Sequence, residues 1–414
     1  MVALPPLGLL LATINKRELQ DLCQNEASNN RPQITECKVI GSYNWLNRKC
    51  PTILIPGSPP AWTPVPTPQT LPEDNDSYFR DQNAARFATH VFQPAIEAIL
   101  HGNPKLDLNK LDIVACVSTL RNLLRFVTEP DQGFRMIVEA IGSTVFLVRR
   151  GVSPTETISG PFGYGHTFPE ANTTWDKAVK GLWDSDISHE EDTPGSADEL
   201  LRSMQNCSVS PLAAEDNGAL TIEAAGTAIP QAAMFDLKTR SSRELKDVMN
   251  GELARLWLAQ VPNFVVGFHN RGVFNDVRVE NIRKEVEDWE KTQKSQLRKL
   301  AALLRTLTAF ARGQPGGRFE VVFEGGGGEL KLREIGGAVN CCISDALKQR
   351  WSRAGLKETQ LDEGETLREG QTSGRDELAE EERRSCGWSD DSESEKDFTA
   401  CSASSCGYCG HCGY

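Results

Sequence analysis

Long apolar runs are missing from this 414-residue sequence. No stretch approaches the roughly 20 consecutive apolar residues that a membrane-spanning helix needs. The apolar opening, Met1–Ile14, lacks a basic beginning and runs directly into Asn15-Lys16-Arg17, so we do not expect a secretory signal. These absences favour an intracellular protein, nuclear or cytoplasmic, that has no membrane partner.

A disulfide framework is not expected either, although the chain has 12 cysteines. Eight are scattered over a chain much longer than disulfide-rich miniproteins, and the other four lie within the last fourteen residues. These four are Cys401, Cys406, Cys409 and Cys412. Zinc prefers four sulfur or nitrogen ligands, and so short a segment needs a metal to fold. The spacing predicts a zinc knuckle over residues 398–414, and the alternative is a Cys-rich tail that binds no metal.

The net charge of -12 first argues against a nucleic-acid-binding protein. Residues 357–397, however, hold 15 acidic and 6 basic side chains, so they carry −9 and leave −3 for the rest of the chain. With few large apolar residues, this stretch is predicted to be a disordered acidic linker over 356–397. The nearly neutral remainder can accept RNA, and the linker and the knuckle are candidates for protein contacts.

Helical and strand patterns lie mainly in residues 34–355, which we expect to form the folded core. A helical lead over 1–33 precedes it, residues 34–72 are proline-rich and predicted to be extended, and residues 171–230 are irregular. Strands are expected within 134–150 and over 232–237, 263–268, 318–323 and 329–333. Helices are expected over 81–101, 107–127, 243–259 and 281–312. The alternation predicts an α/β (α+β) fold with a mixed sheet flanked by helices.

The predicted strand that carries Asp236 and Lys238 is the strongest candidate for a catalytic segment. A carboxylate and a lysine two residues apart on a strand point to the same face. The carboxylate can hold a divalent ion and the lysine can orient an attacking water, as in metal-assisted phosphodiester hydrolysis. This is the second half of the PD-(D/E)xK nuclease signature, whereas the alternative reading is a solvated salt bridge.

The order of motifs resembles the decapping exoribonuclease family. Asp236-Leu237-Lys238-Thr239 is followed by a helix, then Val261–Gly272, a long helix and a Gly-rich hairpin, and upstream Gly165–Phe168 follows a strand pair. The resemblance implies a PD-(D/E)xK nuclease-like fold, removal of RNA 5′ caps with 5′-to-3′ degradation, and Mg or Mn as cofactor. It implies that Asp236 is a metal ligand. The roles it implies are catalytic for Asp236, Lys238 and Glu170, and substrate-binding for Arg240, Arg255 and His166.

Over nearly its whole length the chain also resembles a fungal family often labelled geranylgeranyl pyrophosphate synthetase. The shared motifs are Ser42–Leu46, Pro56–Trp62, Asp81–Arg86 and the Cys-rich end. A prenyl diphosphate synthase needs paired Asp-rich helices that hold magnesium, yet no D-D-x-x-D occurs in the sequence. The label therefore stays an alternative that no Asp-rich motif supports.

The chain departs from the decapping exoribonuclease pattern at four places. The shorter Asp236 stands where the metal-binding glutamate of Glu-h-Lys is expected. Pro169 stands where a glutamate is expected, with Glu170 displaced by one position; no Glu-h-Asp strand occurs between 171 and 233; and Arg255 stands where a helix glutamine is expected. Three alternatives follow. The site is catalytic with substitute acids such as Glu170, or it is a non-catalytic relic that holds RNA or a protein partner, or the gene model lacks an exon.

Overall fold

The computed structural model describes residues 4–25, 32–48, 50–75, 77–128, 132–159, 163–177, 179–180, 219–242 and 248–356. Within them the chain has the mixed α+β fold that the alternation of strands and helices predicts. Residues 357–397 of the expected acidic linker and all of the expected zinc knuckle lie outside the described residues. No helix in the described part of the chain is long and apolar enough to cross a membrane.

Nine helices and seventeen strands are described. The helices are α1 (Lys16–Asn25), α2 (Gln82–Arg86), α3 (Gln93–Gly102), α4 (Val117–Thr128), α5 (Thr167–Asn172), α6 (Val248–Ala259), α7 (Arg283–Thr292), α8 (Lys294–Gly313) and α9 (Asp345–Leu356). The first nine strands are β1 (Leu10–Ile14), β2 (Asn44–Trp45), β3 (Thr52–Gly57), β4 (Ala61–Trp62), β5 (Gln69–Thr70), β6 (Ser77–Phe79), β7 (Ile113–Ala115), β8 (Phe134–Ile141) and β9 (Thr144–Arg149). The others are β10 (Thr157–Ser159), β11 (Thr173–Thr174), β12 (Thr221–Gly226), β13 (Phe235–Ser241), β14 (Asn263–Asn270), β15 (Val273–Asn281), β16 (Arg318–Phe323) and β17 (Leu330–Arg333).

The first sheet has six strands in the order β1-β17-β16-β8-β9-β7. Its pairs are antiparallel except for β7 and β9, which run parallel. Because side chains alternate along each strand, the sheet has two apolar faces. Val138 and Leu147 face the layer of α1, α4 and α8, whereas Phe146 faces α3 and α9. The sheet therefore lies between two helical layers.

The second sheet carries the Asp236 strand and has the order β13-β14-β15-β5. Strand β13 runs parallel to β14, and β15 runs antiparallel to it. One face packs against α6, where Leu256 meets Phe264, Val266 and Phe268. The other face packs against Phe168 of α5. Consequently α5 and α6 lie on opposite sides of the Asp236 strand.

The proline-rich segment is extended, as predicted, and it supplies four short strands. Strand β3 is mostly buried and lies between β2 and β12, pairing parallel with β12. Two further pairs, β10 with β6 and β11 with β4, are antiparallel. The segment is therefore part of the core.

Four predicted elements differ from the observed ones. The helical lead expected over 1–33 contains the strand β1, which pairs with β17, before α1. The helix expected over 107–127 is the strand β7 followed by α4, because Ile113-Val114-Ala115 pairs with β9. The helix expected over 81–101 is divided into α2 and α3. The helix expected over 281–312 is divided at Gln293, whose φ of -89 and ψ of 16 interrupt the helical path. Strands β12 and β15 and helix α9 were not expected from the sequence.

The contact between Gly267 and Phe168 leads to a first prediction. A Cβ built on Gly267 would lie 2.5 Å from Cζ of the fully buried Phe168. Gly267→Ala should therefore destabilise the fold by about 1–3 kcal/mol through overpacking. Gly251→Ala is the matched control, because a Cβ there meets nothing within 4 Å and alanine favours the helix by about 0.5–1 kcal/mol. Urea unfolding of both variants checks the opposite signs, and equal stabilities would refute the packing argument.

Candidate active site

Asp236 and Lys238 lie side by side on β13, on the face that α6 covers. Asp236 contacts Arg255 of α6, and Lys238 contacts Glu252 of the same helix. Arg240, two residues further along, points the same way and also reaches Glu252. The alternation of a strand therefore brings these three side chains together, and the sequence predicts the shared face for Asp236 and Lys238.

Arg255 binds the carboxylate of Asp236 through both terminal nitrogens. Nη2 donates to Oδ1 at 2.9 Å, and Nη1 donates to Oδ2. Its Nε donates to Oε2 of Glu252 at 2.8 Å. A single guanidinium thus bridges two carboxylates, with the planar fork geometry that makes such pairs strong.

Glu252 is the centre of this cluster, and the sequence analysis did not single it out. It is fully buried. Its carboxylate forms ion pairs with Lys238 Nζ at 2.7 Å, with Arg240 Nη2 at 2.8 Å and with Arg255 Nε at 2.8 Å. The signal that could have found it is its position three residues before Arg255, which places both side chains on the same side of a helix. The site therefore contains three basic and two acidic side chains.

Charge and burial shift the pKa values of this cluster. Burial by itself would raise the pKa of Glu252, but the charges of Lys238, Arg255 and Arg240 outweigh burial and lower that pKa to about 2. Burial lowers the pKa of Lys238, and the neighbouring Arg240 and Arg255 act in the same direction. The pKa of Arg255 is raised, since hydrogen bonds to Asp236 and Glu252 outweigh its burial. Glu252 is therefore ionised in the folded protein throughout the physiological range.

This donor set does not fit a divalent metal ion. Both oxygens of Asp236 already accept from Arg255, and Glu252 is surrounded by three cations. A metal ion at this position would be repelled by the three basic side chains. It would also lack free carboxylate oxygens, which hard divalent ions require as ligands. Among the residues that the structure describes, no three His, Cys, Asp or Glu side chains come together as a metal site.

Glu170 and His166 are not brought to this cluster. Both belong to the α5 region, and Phe168 of α5 packs on Gly267, on the sheet face opposite Asp236. The His166 ring stacks on Tyr78 with centroids 3.5 Å apart, and Glu170 is exposed. Their catalytic and substrate-binding roles stay predictions, and the structure supplies no contact between them and Asp236. The predicted ligands Cys401, Cys406, Cys409 and Cys412 lie outside the described residues.

Several solved structures are similar to this chain. Rai1 of S. pombe in complex with 3′-FADP is 12% identical with a TM-score of 0.46, and the match covers 76% of this chain and 98% of that one. S. pombe Rai1 by itself is 11% identical with a TM-score of 0.45 and the same two coverages. K. lactis Dxo1 in complex with manganese is 10% identical with a TM-score of 0.35, covering 62% of this chain and 75% of that one. Likenesses this distant carry no functional argument.

No curated protein matches the sequence. A family model described as a domain of unknown function, DUF8563, matches residues 25–190 and 183–333. These matches span every strand of the second sheet, including the Asp236 cluster, and every strand of the first sheet except β1. The chain therefore belongs to the DUF8563 family.

Proposed function

We propose that this protein binds the 5′ end of RNA at the Asp236 cluster and does not hydrolyse it. The observation that carries the proposal is the position of Arg255, whose guanidinium holds both Asp236 and Glu252. The substrate class comes from the sequence motifs over 134–168 and 230–335, which resemble those of the decapping exoribonucleases.

The charge balance of the cluster favours a phosphate group as the ligand. Three basic side chains face two acidic ones, which leaves one positive charge when all five are ionised. Lys238 and Arg255 keep 11% and 17% of their side-chain surface exposed, so a ligand can reach them from solvent. Charge-assisted hydrogen bonds to phosphate at such a partly buried position are stronger than those to neutral groups.

Hydrolysis needs an arrangement that the cluster does not offer. Metal-assisted attack requires carboxylates that hold the ion and a base or lysine directed at the water. Here Asp236 is engaged by Arg255, and Lys238 is engaged by Glu252. The second candidate is a catalytically inactive interaction protein that does not bind RNA. The ion pair between Asp236 and Arg255 favours this candidate as well, because it leaves no free carboxylate for catalysis.

Binding of the full chain to short RNAs with 5′-phosphate or 5′-hydroxyl ends tests the proposal. We expect tighter binding of the phosphorylated RNA and no shortening of it with magnesium or manganese. Lys238→Ala should reduce the preference for the phosphorylated end by about tenfold, the value of one charge-assisted hydrogen bond. Arg278→Ala is the control, because Arg278 is 46% exposed and pairs with Asp276 on its own strand, β15.

Two outcomes would contradict the proposal in different ways. Manganese-dependent shortening of RNA that disappears in Asp236→Ala would establish the hydrolase and refute silent binding. Equal or absent binding of both RNAs would leave the interaction protein as the function.

A further inference from the structure

Helix α8 carries a line of positive charge that the Asp236 cluster does not use. The helix has five basic residues and no acidic residue in twenty positions. Lys294, Arg298, Arg305 and Arg312 are exposed and are spaced by four, seven and seven residues. These spacings are close to whole helical turns, so the four side chains lie on one side of the helix. We refer to these four residues as the basic stripe.

Burial fixes the direction of the basic stripe. Leu297, Leu300, Leu303 and Leu307 hold α8 against the first sheet. The stripe lies away from these leucines and is open to solvent over about 27 Å, at 1.5 Å of rise per residue. At one end of the stripe, Arg312 lies 3.4 Å from Asp112.

Of the helices that pack on α8, α4 adds positive charge, whereas α1 and α7 carry both basic and acidic residues. Helix α4 packs beside α8 and carries Arg121 and Arg125 without an acidic residue. On the α1 side, burial and then the charge of Lys299 lower the pKa of Lys16. Lys16 and Lys299 therefore lie close enough to repel each other. Such a concentration of basic residues contrasts with the net charge of -12 of the whole chain. This concentration of charge favours a polyanion as the partner.

We propose that the basic stripe binds the phosphate backbone of RNA beyond its 5′ end. This inference rests on the proposed function, because RNA bound at the Asp236 cluster is the polyanion that the protein would hold. Each cation of the stripe would contact a phosphate without reading the bases, since lysine and arginine contacts to phosphates position a nucleic acid and carry no sequence information.

The salt dependence of binding tests the inference quantitatively. For single strands, the logarithm of the binding constant falls by about 0.7 per phosphate contact for each unit of log salt concentration. Replacing Lys294, Arg298 and Arg305 by glutamine should therefore reduce the slope by about 2. Between 50 and 200 mM salt the wild type should lose about 20-fold more affinity than the variant. The probe is a 5′-phosphorylated single-stranded RNA bound to the full chain.

The matched control removes the same charge from the opposite face of the first sheet. Lys105, Lys110 and Arg350 are exposed near α3 and α9, and their replacement by glutamine should leave the slope unchanged. Circular dichroism checks that both triple variants fold.

The outcomes separate this inference from the proposed function. An unchanged slope in the stripe variant, with 5′-phosphate preference intact, would overturn the inference alone and leave the stripe to an acidic protein partner. A reduced slope in the control as well would also overturn it, because the effect would then follow total charge. Loss of all RNA binding in the wild type would remove the proposed function and this inference with it.

Discussion

Glu252→Ala is expected to lower the free energy of unfolding by about 3–5 kcal/mol, because it removes one partner from a buried ion-pair cluster. Lys238, Arg240 and Arg255 each contact Glu252 within 2.8 Å. Without it, three cations would remain next to one another with Asp236 as the single acid in contact. Urea unfolding of the full chain measures the loss.

A partly exposed ion pair provides the control for this variant. Glu223 pairs with Arg48 and keeps 33% of its side-chain surface exposed. Surface pairs contribute about 0–1 kcal/mol, so Glu223→Ala should change stability far less. Equal losses in the two variants would show that the buried cluster has no special role in stability.

Glu252→Ala should also alter the pH dependence of stability. The folded-state pKa of Glu252 is about 2, below the ordinary 4.5. A carboxyl with a lowered folded pKa stabilises the protein fully above its unfolded pKa, and that contribution is lost as pH falls through the folded value. The contribution is at most about 3 kcal/mol at 1.36 kcal/mol per pKa unit. Between pH 4.5 and 2 the wild type should therefore lose stability more steeply than Glu252→Ala.

Arg255→Gln is expected to let a trivalent or divalent cation bind at Asp236, while Lys238 and Arg240 keep their contacts with Glu252. The wild-type guanidinium lies between these two carboxylates and repels any second cation. A unit charge 4 Å away contributes about 4 kcal/mol at an effective dielectric constant of 20. If removing the guanidinium relieves only half of this repulsion, about 2 kcal/mol, the metal affinity should still rise by about 30-fold.

Terbium luminescence with the full chain measures this gain, since such ions prefer oxygen ligands as calcium does. The wild type should give no saturable signal from the cluster, and the variant should give one that disappears in the double variant Arg255→Gln with Asp236→Asn. A folded Arg255→Gln variant that binds terbium no better than the wild type would refute the position assigned to the guanidinium.

Strands rich in buried apolar residues were predictable from the sequence. The pairs β8 with β9 and β16 with β17 contain such apolar runs and were found within a few residues of the expected bounds. Strand β15 was not predictable, because five of its nine residues are polar and five are exposed, so its sequence resembles a loop. Its extended state comes from eight backbone pairings with β14, a neighbour brought by the fold.

By itself the sequence determined which residues of β13 share a face, because the two-residue period of a strand is a local property. It also determined that α8 has an apolar side and a basic side. Only the tertiary structure decided that Arg255 and Glu252 meet Asp236 and Lys238, and that Glu170 lies across the sheet from them. The physical reason is that these placements depend on how α5 and α6 pack on the two faces of one sheet, through contacts between residues far apart in the chain.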